Sequence, residues 1–116
     1  MIFNMKLFYI LDEHKNVIPA SYVEWIENRD KNKIIKQEEI DGYFISTVFL
    51  GIDHAIHLLN KIEPPLVFET MVFDKDKDAY GHGYGLYTDR YSTYQEAEIG
   101  HKKAVSWVKN GCKEDE

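Results

Sequence analysis

Apolar and polar positions follow two different periods along this chain, and the changes between them mark out its elements. Lys6–Leu11 is dense in branched and aromatic residues and stops at the polar cluster Asp12–Asn16, so it reads as a first strand ending in a turn. After Val17 and Ile18, Pro19 holds the preceding residue extended. Ser21 then stands three residues before Glu24, the capping-box spacing that satisfies the free N–H groups at a helix start. A short helix over Tyr22–Arg29 is expected, with Tyr22, Trp25 and Ile26 on one face packing on a sheet. Lys33–Ile40 is more polar and reads as a strand near an edge. Asp41-Gly42 supplies the two positive-φ positions of a type I′ turn, so the next strand runs antiparallel.

That next strand, Tyr43–Leu50, has bulk on both faces, with Tyr43, Ile45 and Phe49 on one side and Phe44, Val48 and Leu50 on the other. It is expected to be central, covered by helix on one face and by further protein on the other. Asp53–Glu63 has the pattern of one or two helical turns, which Pro64-Pro65 ends. Leu66–Phe73 is the second central strand. Both central runs carry polar residues at or near their middle, Ser46-Thr47 and Glu69-Thr70.

Residues 74–89 form a polar, glycine-rich connection that is expected to be mobile and to display Tyr80, Tyr84 and Tyr87. A long helix follows, started by Ser92 with Gln95 or Thr93 with Glu96 and closed by Asn110-Gly111. Its stripe Ala97, His101, Ala104 and Val108, with Gly100 beside it, permits close approach to the sheet. Residues 110–116 are expected to be a disordered tail. The order predicts a single α+β domain over residues 1–116, an antiparallel sheet of about four strands with the long C-terminal helix and the short N-terminal helix on one face.

Composition narrows the function classes. The chain of 116 residues can bury a core without metal or disulfide staples. Its 14 Lys and Arg against 20 Asp and Glu give a net charge of −6, and the only basic stretch is the mixed run Arg29–Lys36. Direct nucleic-acid binding is therefore not expected. A lone Cys112 excludes an intramolecular disulfide and a cysteine zinc knuckle, and fits a reducing cytoplasm. No apolar run reaches the length of about 20 residues that spans a bilayer, and the first residues lack a signal peptide's order.

Glu69, inside a central strand, needs a partner such as Arg90, His101 or a backbone N–H, and the plain reading is an ion pair fixing the last helix on the sheet. His101 on the apolar stripe reads first as a satisfied core histidine. Asp53-His54 leaves a strand end after Gly51, where side chains can enter a cleft, or where Asp53 caps the next segment. Asp53, His54, Glu69 and His101, with Glu98, form a candidate His-and-carboxylate metal set, without the spacing of a zinc-protease helix. Asp74–Asp78 opens like a calcium loop but has Ala79 where glycine is required and Gly85 where a glutamate belongs. The glycine-rich 81–85 segment lacks the Lys and Ser/Thr of a phosphate loop.

The segments Ser46–His54 (STVFLGIDH), Pro64–Phe73 (PPLVFETMVF) and Arg90–His101 (RYSTYQEAEIGH) resemble those of a family of small uncharacterised proteins of bacteriophages and prophages. The resemblance implies a phage-borne protein of the host-cell cytoplasm and brings no activity with it. The expectation is an accessory binding protein, more an inhibitor than an enzyme, that sequesters a host protein, such as a defence component, or a small nucleotide-like ligand. Asp53, His54, Glu69, Tyr84, Arg90, Tyr91 and His101 are its candidate contact residues, and no cofactor is expected. A metal-dependent hydrolase using the His and carboxylate set is the second reading. A phage structural or assembly component, homo-oligomeric through exposed sheet edges, is the third.

Overall fold

The computed structural model describes residues 8–53, 64–76 and 87–113. Strands β1 (Phe8–Leu11) and β2 (Val17–Ala20) pair antiparallel as a separate two-stranded sheet. The Asp12 side chain builds the turn between them by accepting from the backbone N–H groups of His14 and Asn16, both at 2.8 Å. β2 does not have the alternation of a strand and contains Pro19, which a pattern of apolar positions does not reveal. Proline is tolerated because this ribbon leaves one side of the strand without a ladder to feed.

Helix α1 (Tyr22–Asn28) starts where the sequence places it. Ser21 accepts from the Glu24 N–H, and the Glu24 carboxylate accepts from the Ser21 N–H. It packs on β1 and β2. Trp25 makes the contact expected of its face by stacking near Phe8 and donating to the Leu50 carbonyl, whereas Tyr22 and Ile26 remain exposed at 56% and 42%. Seven residues at the edge of a two-stranded ribbon have too little sheet beneath them to cover all three side chains.

The main sheet has the order β3 (Ile34–Ile40), β4 (Tyr43–Phe49), β5 (Phe68–Asp74), β6 (Tyr87–Tyr91), antiparallel throughout. Asp41 and Gly42 turn β3 into β4 with φ of 54° and 85°, as the type I′ geometry requires. β3 is an edge strand and β4 and β5 are central, as their patterns indicate. β6 is a difference: Tyr87, Thr88 and Asp89 belong to an edge strand rather than to a loose connection, because pairing with β5 satisfies their backbone. Residues 77–86, including Tyr84, lie outside the described residues, as do His54–Glu63 and the helical turns expected there.

Helix α2 (Tyr94–Lys109) begins with a Thr93–Glu96 capping box and lies across all four strands. Its buried residues are Ala97, Gly100, His101, Ala104 and Val108, the stripe read from the sequence. Beyond it, Gly111 has φ of +73°, the Cys112 N–H donates to the Trp107 carbonyl, and Cys112 packs on the core, while residues 114–116 of the expected tail lie outside the described residues. The core is two clusters on the helix side of the sheet. One gathers Tyr9, Phe49, Val67, Phe68, Tyr91 and Ala97, the other Ile45, Val72, Ala104 and Val108. Among the described residues no helix is long and apolar enough to cross a membrane.

Candidate functional site

The two clusters are separated by a buried polar chain. Strand register places Thr47 directly opposite Thr70 in the middle of the sheet, and both are fully buried under α2. Their hydroxyls lie 2.6 Å apart, and Thr47 Oγ1 is also 2.6 Å from His101 Nδ1. On the other side of the imidazole, Nε2 is 2.6 Å from Glu38 Oε2, which reaches in from β3. Burying two hydroxyls and an imidazole would cost several kcal/mol, on the order of 2 or more per group, if any were left unbonded. Each is bonded, so the chain is tolerated.

The donor inventory fixes the direction of these bonds. An ionised Glu38 only accepts, so His101 Nε2 carries a proton and donates. In the neutral ring Nδ1 then accepts from the Thr47 hydroxyl, which in turn accepts from Thr70. The hydrogen bond from His101 holds the Glu38 carboxyl below its ordinary pKa, helped by Lys36 at 3.6 Å and opposed by partial burial.

Hydroxyl, imidazole and carboxylate in this order are the components of a nucleophilic triad. Thr47 is 0% exposed, however, and its oxygen lies beneath α2. A substrate carbonyl cannot reach it, so the chain acts as a polar brace between sheet and helix. A cavity of about 120 Å³ adjoins its outer end, lined by Ile35, Lys36, Glu98, His101 and Lys102.

Tyr91 stands beside the brace. Its ring fills the space over Gly100, where an added Cβ would come within 2.1 Å of the phenol. Burial pushes its hydroxyl up to about 12, and the nearby Thr70 hydroxyl acts the other way without meeting hydrogen-bond geometry.

The remaining candidates do not join this set. Glu69 has neighbours Phe68 and Thr70 that face the helix, so its own side chain lies on the opposite face, where Arg90 Nε donates to it at 3.0 Å. The pair ties β5 to β6 and does not fix α2. That role falls to Glu38, a residue the sequence pattern did not single out. The Glu69–Arg90 pair is partly exposed, a setting in which such bridges contribute about 0–1 kcal/mol. Asp53 is buried, and its Oδ1 accepts from the Leu66 N–H at 3.4 Å, which fastens the segment after β4 to the start of the next strand. His54 and Tyr84 lie outside the described residues. Among the described residues no three His, Cys, Asp or Glu side chains are arranged to hold a metal ion.

Thr47 and Thr70 did leave a signal, as hydroxyls at the middle of otherwise apolar strands. Glu38 left none, because nothing in a single sequence shows which residue of an edge strand meets a helix 63 positions later. No family model, no curated protein and no solved structure matches the chain.

Proposed function

We propose that the protein is a non-enzymatic binding protein that captures a protein partner on the sheet face turned away from α2. The observation that carries this reading is the mutual engagement of the chemically capable groups: His101 is bonded at both ring nitrogens, and the Thr47 hydroxyl is sealed from solvent. That buried set has nothing to offer a substrate.

The opposite face has the make-up of a contact surface. Phe44, Val48, Met71 and Phe73 stand half-buried at its centre, with the Phe44 and Phe73 rings 6.5 Å apart, and Gln37, Glu39, Ser46, Glu69 and Arg90 surround them. An apolar centre with a polar rim is the usual anatomy of such interfaces. The net charge of −6 favours a partner with a basic surface. The resemblance to phage-borne proteins directs the search to host proteins, defence components first.

The test is affinity capture from a bacterial lysate with the natural chain and with Met71→Arg and Phe73→Asp. A host protein held by the natural chain and lost from both variants, with their folds intact by circular dichroism, supports the proposal. Retention by both variants refutes this surface, and a stoichiometric metal on the purified protein would favour hydrolysis instead.

A further inference from the structure

A second surface carries a more specific chemistry. At the C-terminal end of α1 the chain turns through residues 29–33 before entering β3, and this turn closes one side of a cleft of about 380 Å³. Its apolar wall is Trp25, Phe49, Leu50 and Ile52, and Arg29 and Lys33 flank the opening beside Asp30. A narrow inner crevice shares Trp25, Arg29 and Phe49 and adds Lys31 and Asn32. From the geometry and charge of this cleft we infer that it binds a small phosphorylated ligand with a flat ring, of the nucleotide class. This goes beyond the sheet-face proposal and uses none of its residues.

The first argument is charge. Arg29, Lys31 and Lys33 fall within five residues of a chain whose net charge is −6, with Asp30 the one carboxylate among them. Other exposed cations are paired, Lys36 with Glu38, Lys75 with Glu39 and Arg90 with Glu69, while Lys102, Lys103 and Lys109, unpaired among the described residues, lie along α2 and line no cleft with an aromatic wall. Among the described residues Arg29, Lys31 and Lys33 make no side-chain ion pair or hydrogen bond. Arg29 and Lys33 line the cleft and Lys31 the adjoining crevice, and an anion placed among these like charges of one short turn relieves their repulsion. Phosphate suits the set because Arg29 can offer it a two-pronged contact and the lysines add point charges.

The second argument is the preformed apolar wall. Trp25 Nε1 donates to the Leu50 carbonyl at 3.1 Å, which fixes the indole in place. Gly51 has φ of +72°, and a Cβ there would come within 2.6 Å of that nitrogen. A glycine is therefore needed for the indole to sit where it does. With its N–H already used, the indole has only ring surface to give a ligand, and ring surface selects a flat, apolar group over a further polar one. The volume lies within the range of about 300–1,000 Å³ typical of small-molecule sites. Anion and flat ring on one small molecule is the chemistry of a nucleotide.

Isothermal titration of the full chain at low salt with ADP and GDP, and separately with inorganic pyrophosphate, tests this. The expected result is one-to-one binding of at least one nucleotide, with pyrophosphate at least tenfold weaker and binding weakened by added salt. Arg29→Ala and Lys33→Ala should each reduce nucleotide affinity by about tenfold or more, the size of one lost charge-assisted contact. Lys103→Ala, on the exposed side of α2, should leave it unchanged. Both cleft variants alter exposed side chains, and unchanged unfolding midpoints will show that they fold. Absence of binding by both nucleotides at millimolar concentration overturns the inference. So does affinity unaffected by either cleft variant, and so does pyrophosphate binding as tight as the nucleotides, which would leave the ring without a role.

Discussion

Replacing Gly100 by alanine sets two effects of opposite sign against each other, and the structure decides between them. Helix propensity alone favours the change by about 1 kcal/mol, because glycine in a helix interior loses the most backbone freedom on folding. Position 100 lies in the middle of α2, however, with the Tyr91 ring directly over it. An alanine Cβ would stand 2.1 Å from Cζ and from the hydroxyl oxygen and 2.3 Å from Cε1, where approaches under 3.0 Å essentially do not occur. The ring would have to move by close to an ångström inside a cluster with Phe68 and Ala97, both 0% exposed. Overpacking of this kind costs about 1–3 kcal/mol, so the clash outweighs the propensity gain. Gly100→Ala should lower the urea-unfolding free energy by up to about 2 kcal/mol, net of the two terms. Tyr91→Leu removes the three atoms that clash, and in that background the same alanine should become neutral or stabilising. If Gly100→Ala stabilises the natural chain, or if its effect is the same in both backgrounds, the reasoning about this contact is wrong.

Three further outcomes follow from the polar brace and its neighbour. Thr47→Val keeps the shape but leaves His101 Nδ1 and the Thr70 hydroxyl without their partner, so chemical denaturation should show a loss of about 1–3 kcal/mol that Thr47→Ser largely avoids. Glu38 has a folded pKa below its ordinary 4.5, so its contribution is present above that value and is lost as pH falls through the lower folded one; Glu38→Gln should flatten the dependence of the urea midpoint on pH in that acid range. The Tyr91 phenol should ionise near 12 in an absorbance titration, and because the unfolded phenol ionises from about 10, stability should fall as pH rises between those values, a slope that Tyr91→Phe removes.

Much of the fold was legible because local chemistry and burial agreed with each other. Both capping boxes formed, the Asp41-Gly42 turn set the register of β3 on β4, and the stripe of α2 is the stripe that is buried. The misses share a physical origin. β2 and β6 are short edge strands of mixed composition, VIPA and YTDRY, whose strand character comes from the partner beside them. Their neighbours supply the ladder, and their own residues carry little preference. The same holds for α1, whose helix is set by its cap but whose facing side is set by how much sheet happens to lie beneath it.

The candidate site was legible one residue at a time and not as an arrangement. The sequence indicates that a histidine on an apolar stripe will be bonded and that a glutamate in a central strand will be paired. It offers Arg90 among the partners of Glu69, which takes it on the far face and not against α2, but it does not point to Glu38, which His101 takes from an edge strand. The reason is the period of a strand: moving one residue along β5 changes face, so Glu69 and Thr70 are adjacent in the chain and serve opposite sides of the sheet. Once that alternation is fixed by register, the consequences run in one direction. Thr70 and Thr47 must bond inward, His101 must answer them, and its second nitrogen must find an acceptor from whichever strand flanks β4 on that face. β3 supplies Glu38 there, beside Lys36, where the carboxylate stays partly hydrated and so remains charged at small cost. The side chains most suggestive of catalysis are thereby committed to holding helix and sheet together. Among the described residues the cations of residues 29–33 have no such partner, at a cleft the brace does not touch, and it is at that cleft that a search for a ligand should begin.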